Sequence, residues 1–247
     1  MDPFRTAAGA TAEVPSSAPM TIPTQADPAA GQRYLLLADI SGYTGFLNGV
    51  EEAHGVDFSS GIPVGYEVLG ALLDAVVEGV QPAFDIAKLE GDAVFAVAPA
   101  ENLDGQGEAV LDRLQAVYRA FYVEREHGKS ASDHNCTACP IVSSLNLKMV
   151  LHRGQAVRQS VGSNPELLGP AVNIAHRLLK NSIQSRLGYR AYLFVTDAAA
   201  AGLGLRGIGV AHLEDYPDAG QVKGRVIEVA ENSPEAVTQP PPLQARP

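Results

Sequence analysis

Residues 35–44 read Leu35-Leu36-Leu37-Ala38-Asp39-Ile40-Ser41-Gly42-Tyr43-Thr44. A continuous apolar run of this kind is typical of a strand that is buried on both faces. The strand delivers Asp39 to a turn that contains Gly42, where backbone and ligand can approach closely. A helix beginning near Ser41 would offer its free N–H groups to phosphate oxygens. The alternative is that Asp39 only caps the turn through its own side chain.

A second segment, Lys88-Leu89-Glu90-Gly91-Asp92, predicts a hairpin. Strands over Ala83–Lys88 and Ala93–Ala98 flank the Gly91-Asp92 turn and leave Asp92 at its tip. From there Asp92 can reach a cation held by Asp39 if the two strands are neighbours. Period-two alternation puts Lys88 and Asp92 on one strand face. The alternative is a solvated polar hairpin without a function.

A third segment, Val172-Asn173-Ile174-Ala175-His176-Arg177, falls in a predicted helix over Ala171–Lys180. Pro170 suits the first turn of that helix, where its missing N–H costs nothing. Asn173 and Arg177 are four residues apart and share one helix face. An amide beside a guanidinium can hold a ribose oxygen and a developing phosphoryl charge. The alternative is an ordinary exposed polar face.

The remaining hydrophobic pattern predicts two amphipathic helices, Tyr66–Val80 and Glu108–Tyr122. Further strands are predicted over Leu145–Leu151, Ala156–Val161, Ala191–Val195 and Arg225–Ala230. This order predicts an α+β, ferredoxin-like (βαββαβ) domain with a mostly antiparallel sheet and helices packed on it.

Composition sets the outer limits of the domain and its partners. Residues 1–30 and the Pro-rich tail 232–247 have no hydrophobic period and are expected to be disordered, which leaves one domain over 31–231. The net charge of −10 argues against nucleic acid or an anionic membrane as partner. No apolar stretch predicts a membrane span or a secretory signal. The chain has only two cysteines, which fits a reducing cytoplasm.

In their order and spacing, the three segments resemble the class III nucleotide cyclases, the adenylyl and guanylyl cyclase family. The resemblance covers residues 33–231 and includes Leu151-His152-Arg153-Gly154 and Val161-Gly162-Ser163. It also includes the spacing from Glu166 through Gly169 and Asn173 to Arg177. The stretch from Cys136 to Asn181 further resembles a subgroup of soluble bacterial cyclase-homology proteins without an assigned activity.

The resemblance implies a mechanism in which Asp39, Asp92 and the Ile40 carbonyl hold two Mg²⁺ or Mn²⁺ ions. Lys88 would contact the base, Asn173 would position the ribose, and Arg177 would stabilise the charge of the transition state. The implied triphosphate contacts are Ser41, Gly42, Tyr43 and Thr44.

The resemblance also implies a homodimer with two composite sites. In that arrangement one protomer supplies Asp39, Asp92 and Lys88, and its partner supplies Asn173 and Arg177.

Glu166 departs from the family pattern, because adenylyl cyclases usually carry Asp as the partner of the base-reading Lys. Lys88 nevertheless favours adenine, since guanylyl cyclases usually have Glu there. The predicted activity is that of a phosphorus–oxygen lyase, converting ATP to the 3′,5′-cyclic nucleotide and pyrophosphate. Two alternatives stay open: a non-catalytic module that binds a nucleotide or other ligand as a sensor or scaffold, and a metal-dependent phosphohydrolase.

A Cys-x-x-Cys pair stands apart from these motifs. His134, Cys136 and Cys139 supply three of the four ligands that structural zinc commonly needs, and His127 or the other protomer can supply the fourth. The alternative is a pair of reduced or redox-active thiols.

Overall fold

A computed structural model of the chain describes residues 30–55, 57–59, 61–81, 83–130 and 139–229. The predicted tail 232–247 and residues 1–29 of the predicted leader lie outside these ranges. The first strand begins at Ala30, the last residue assigned to that leader.

The described residues form eight strands: β1 Ala30–Ser41, β2 Asp85–Glu90, β3 Ala93–Pro99, β4 Asn146–Val161, β5 Asn164–Leu168, β6 Tyr192–Thr196, β7 Val210–Tyr216 and β8 Gly220–Glu228. They also form eight helices: α1 Tyr43–His54, α2 Val64–Val80, α3 Ala100–Leu103, α4 Gly107–Ser130, α5 Cys139–Val142, α6 Pro170–Leu178, α7 Ile183–Leu187 and α8 Asp197–Leu203.

All eight strands belong to one sheet, ordered β2-β3-β1-β4-β6-β8-β7, with β5 pairing on β4. The strands pair antiparallel except β4 and β6, which are parallel. The order β4-β1-β3-β2 together with α2 and α4 gives the ferredoxin-like arrangement, so the predicted α+β fold is confirmed.

The alternation along β1 divides the core between the two faces of the sheet. Leu36, Ala38 and Ile40 pack with residues of α2 and α4 in the larger core cluster. Leu35 and Leu37 point to the opposite face, where they pack with residues of α6. Because side chains alternate along a strand, Asp39 follows Leu37 on the α6 side of the sheet.

The prediction of two strands over Leu145–Leu151 and Ala156–Val161 was wrong, because β4 is continuous through Gly154. At Gly154 the absence of a side chain lets α6 approach the strand. A Cβ added at Gly154 would lie 2.7 Å from the Cβ of Ala171 in the first turn of α6. The glycine therefore marks a close approach of helix to sheet.

Other elements also differ from the predicted pattern, α4 and β7 among them. α4 continues to Ser130 instead of ending at Tyr122, with Arg125 buried and donating a hydrogen bond to the Leu145 carbonyl at 2.9 Å. β7 was not predicted, because its buried positions include the polar residues His212 and Glu214. Among the described helices, none combines the length and the apolar character needed to span a membrane.

Candidate active site

Asp39 and Asp92 lie side by side at one end of the sheet. Asp39 pairs with Ala93 across the β1–β3 ladder, so Asp92 follows one position beyond. The Ile40 N–H donates a hydrogen bond to the Asp92 carbonyl at 3.0 Å, which fixes the hairpin tip against β1. Gly91 has a φ of 66°, a value that a residue with a side chain rarely adopts. The predicted hairpin, with Asp92 at its tip, is confirmed.

The electrostatics of Asp92 reflect this position. Burial raises its pKa above the ordinary value of 3.8, and the negative charge of Asp39 raises it further. A hydrogen bond with the backbone and the positive charge of Lys148 act in the opposite direction without cancelling the rise. Two partly desolvated carboxylates that repel each other form a site with an affinity for cations.

Lys148 supplies one such cation and was not identified from the sequence. It lies opposite Asp39 in the β1–β4 register, with Nζ 2.8 Å from Oδ2 of Asp39. Its Nζ also donates a long hydrogen bond to the Leu179 carbonyl, at 3.5 Å. The available sequence signal was a lysine inside an apolar strand, which is rarely buried without a charged partner.

Ile40 can serve a ligand only through its backbone, since its side chain is in the larger core. α1 begins at Tyr43, as the predicted helix near Ser41 requires. Gly42 precedes the helix with a φ of 92°, and no side chain caps the first turn. The first N–H groups of α1, around Thr44, are therefore not occupied by a side-chain cap. Ser41 differs from this expectation, because its hydroxyl donates to the Asn146 carbonyl at 3.0 Å.

The side chains of Lys88 and Glu166 lie close together within one chain. Lys88 Nζ lies 4.0 Å from Glu166 Oε1, and both side chains line a cavity of about 110 Å³. Val172 and His176 of α6 line the same cavity. The structure therefore groups the two side chains predicted to read the base, and it groups them with α6.

His176 and Glu90 add polar character to this cavity. The Nδ1 atom of His176 is 3.5 Å from Glu90 Oε2, and its ring meets the ring of Phe95 edge to face at 5.1 Å between centroids. His176 therefore faces the sheet, away from the exposed residues Asn173 and Arg177.

Asn173 and Arg177 occupy the exposed face of α6, as their spacing predicts. Arg177 forms an ion pair with Asp218, which lies in the turn between β7 and β8. Within the described ranges, neither Asn173 nor Arg177 contacts Asp39 or Asp92 by a hydrogen bond or ion pair.

Most of the predicted zinc site lies outside the described residues. His134 and Cys136 lie outside the described residues, and of Cys139 only the backbone at the start of α5 is described. His127 lies near the end of α4 with Nδ1 3.7 Å from Glu124 Oε2. Across the described part of the chain, no three or more His, Cys, Asp or Glu side chains form a group that could hold a metal. The Asp39–Asp92 pair would thus need further ligands from backbone, water or substrate.

Comparison with known proteins finds a family model and a relative that have no assigned function. A family model described as "Protein of unknown function (DUF2652)" matches residues 69–187. The uncharacterized protein Rv2561/Rv2562 of Mycobacterium tuberculosis is 32% identical over 164 residues, which cover 66% of this chain and 74% of that protein.

Solved structures with a similar fold are nucleotide cyclases. A bacterial light-regulated adenylyl cyclase has a TM-score of 0.55 at 17% identity over 85% of this chain, which spans only 56% of that protein. The guanylyl cyclase Cya2 has a TM-score of 0.56 at 12% identity, with 83% of this chain and 95% of that one covered. The adenylyl cyclase CyaB from P. aeruginosa has a TM-score of 0.56 at 14% identity, with 82% and 97% covered. At these identities the likeness lies in the fold.

Proposed function

This chain belongs to the same family as the uncharacterized Mycobacterium tuberculosis protein Rv2561/Rv2562, and we propose that it is a nucleotide cyclase. The reaction converts a nucleoside triphosphate, with ATP as the preferred substrate, to the 3′,5′-cyclic nucleotide and pyrophosphate. The observation that carries the proposal is the apposition of Asp39 and Asp92 at one end of a sheet whose fold is that of nucleotide cyclases.

The residues present fit a pair of divalent cations. Asp39, Asp92 and the Ile40 carbonyl offer hard oxygen ligands, which Mg²⁺ and Mn²⁺ prefer. The mutual repulsion that raises the pKa of Asp92, after burial, is relieved when positive charge is added between the carboxylates. When bound, such ions activate a hydroxyl nucleophile and neutralise a triphosphate.

Lys148 has a second part in this proposal. Its ammonium group neutralises Asp39 in the structure, at 2.8 Å. With Asp39 engaged in holding a cation, the Lys148 ammonium group would be available to another anion. We assign it to the triphosphate, whose oxygens would lie at the same end of the sheet.

Lys88 and Glu166 suit an adenine base. An adenine edge presents a ring-nitrogen acceptor beside an exocyclic amino donor. Lys88 donates a hydrogen bond to the ring nitrogen, and Glu166 accepts one from the amino group. The charged groups of these two side chains are 4.0 Å apart in one cavity.

The proposed site is shared between two copies of the chain. Asn173 and Arg177 are exposed on α6 and do not contact the Asp39–Asp92 pair within the described residues. Because Lys88 and Glu166 share a cavity with α6, we assign Lys88 to the protomer that supplies Asn173 and Arg177. This differs from the division expected from the sequence. The partner supplies the two aspartates, and the twofold symmetry creates two equivalent sites.

The test is a product assay with each nucleoside triphosphate separately, in Mn²⁺ and in Mg²⁺, with mass-resolved detection. We expect a cyclic nucleotide from wild type and a loss of at least about a hundredfold in Asp92→Asn, because the cations lose a ligand. Asp74→Asn, on the exposed surface of α2, serves as the matched control. Linear mono- or diphosphate as the only product would indicate a phosphohydrolase instead.

One observation favours a second function. The ammonium group of Lys148 already occupies the Asp39 carboxylate, which suits a domain that binds a nucleotide without turning it over. Saturable binding of a nucleoside triphosphate without any product, by a verified dimer, would support this sensor or scaffold role.

A further inference from the structure

An ion pair joins the β7–β8 hairpin to the exposed face of α6. Arg177 Nη2 donates to Oδ2 of Asp218, and the two side chains are each 53% exposed. A surface ion pair of this kind contributes little to the stability of a protein. The main effect of this ion pair is therefore on the position of the guanidinium group.

The turn that presents Asp218 has a defined conformation. The Ala219 N–H donates to the Tyr216 carbonyl at 3.3 Å, and Gly220 closes the turn with a φ of 69°. On its flank, Gln221 Nε2 donates to Asp215 Oδ2 at 3.1 Å. Asp218 thus lies on a short hairpin turn that is closed by its own hydrogen bonds.

The hairpin is anchored on the α6 side of the sheet. Tyr216 packs against the cluster that contains Leu178 and Tyr192. Burial raises the pKa of Tyr216, and the charge of Arg177 acts against that rise, which puts Arg177 within electrostatic reach of the hairpin base. The Asp218 contact is therefore held from two sides, by α6 and by a packed hairpin.

A guanidinium group carries five N–H donors in a fixed plane. Asp218 is bonded to one of its nitrogens, Nη2, which leaves N–H groups of Arg177 available to an anion. An arginine side chain loses rotamer entropy when it is fixed in one conformation. A carboxylate that restricts the side chain beforehand reduces the cost of placing it in the transition state.

We propose that Asp218 is a positioning residue that holds the guanidinium group of Arg177 in the orientation required for the reaction. This inference rests on the proposed cyclase function, in which Arg177 stabilises the developing charge. Asp218 acts through Arg177 and does not itself touch the substrate.

The kinetic test compares Asp218→Asn with Glu228→Gln, a carboxylate-to-amide change at an exposed position of the same hairpin. We expect Asp218→Asn to lower kcat about tenfold with little change in KM, since misplacement of a catalytic group costs rate. Asp218→Glu keeps the carboxylate and should recover part of kcat, and Glu228→Gln should behave as wild type. An unchanged or increased kcat in Asp218→Asn overturns the inference.

A double-mutant cycle with Arg177→Ala separates positioning from a general structural effect. If Asp218 acts through Arg177, then Asp218→Asn causes no further loss of kcat in the Arg177→Ala background. Losses that multiply across the two sites overturn the inference.

A measurement without turnover distinguishes failure of this inference from failure of the proposed function. In ¹⁵N-labelled protein, the Nε–Hε signal of Arg177, assigned by Arg177→Lys, reports the mobility of the guanidinium group. We expect it to be restricted in wild type and mobile in Asp218→Asn. Absence of cyclic product in wild type would refute the function, whereas equal mobility of Arg177 in both proteins would refute the positioning role.

Discussion

Lys148 and Asp39 face each other across the β1–β4 ladder, with 2.8 Å between the ammonium nitrogen and the nearer carboxylate oxygen. The side chains are 22% and 15% exposed, so the pair is largely screened from bulk water. The ammonium group of Lys148 therefore competes with any cation that binds Asp39.

Replacing Lys148 changes the affinity for cations and the free energy of unfolding in opposite directions. We expect Lys148→Met to bind Mn²⁺ more tightly than wild type, because Asp39 no longer has an ammonium partner. Without Mn²⁺ the variant should lose about 1–3 kcal/mol of unfolding free energy, since a partly buried carboxylate is left unpaired. Calorimetry measures the affinity for Mn²⁺, and urea unfolding with and without Mn²⁺ measures the free energy of unfolding. Weaker Mn²⁺ binding in the variant would contradict the competition.

Asp92 should make the cation-free protein less stable as pH rises. Burial and the charge of Asp39 raise its pKa in the folded state above 3.8. The folded protein therefore binds this proton more tightly than the unfolded chain, and the contribution is complete below the unfolded pKa. It is lost as pH rises through the raised value.

The measurement is urea unfolding of wild type and Asp92→Asn at a series of pH values without divalent cations. Wild type should lose stability relative to Asp92→Asn over that pH window. Adding Mn²⁺ should reverse the trend for wild type alone, because the cation competes with the proton. Parallel pH curves for the two proteins would show that Asp92 is not perturbed.

Glu166 should determine the choice of base more than the rate. Glu166→Gln keeps the size of the side chain but replaces one acceptor oxygen with a donor amide. We expect the ratio of kcat/KM for ATP to that for GTP to fall about tenfold or more. Because the side chain is partly exposed, unfolding free energy should change by no more than about 0.5 kcal/mol. Glu67→Gln, on the exposed face of α2, is the control.

Gly154 should couple the packing of α6 to activity. An added Cβ would lie 2.7 Å from the Ala171 Cβ, so Gly154→Ala must push the start of α6 away from β4. We expect a loss of about 1–3 kcal/mol of unfolding free energy, typical of overpacking, together with reduced kcat. Gly31→Ala on β1 is the matched control, since nothing lies within 4 Å of its added Cβ. Equal stability of the two variants would contradict the close approach.

The sequence predicts those parts of the fold and site that depend on local pattern. The apolar run before Asp39, the Gly91-Asp92 turn and the four-residue spacing of Asn173 and Arg177 each have a local signature, and the structure places all three as expected. The order of the predicted strands and helices also predicts the ferredoxin-like arrangement of β1 to β4.

The remaining features depend on register and on contacts between distant segments. Nothing local to Lys148 shows that it pairs with Asp39, which lies in another strand. Asp218 is 41 residues from Arg177 and meets it only because the β7–β8 hairpin packs beside α6. The close approach of α6 at Gly154 has no local signature, because it depends on a contact with Ala171 in another element.

The contact between Lys88 and Glu166 has a further consequence for solubility. β2 is an edge strand of the sheet, and an open edge is a template for pairing with another molecule. Here it carries a register shift after Ile86, and two ion pairs join it to the β4–β5 hairpin, Lys88 to Glu166 at 4.0 Å and Asp85 to Arg158 at 3.8 Å. The side chains assigned to base recognition thus also protect this edge strand from pairing with another molecule. A substitution that changes base specificity here therefore carries a risk of self-association.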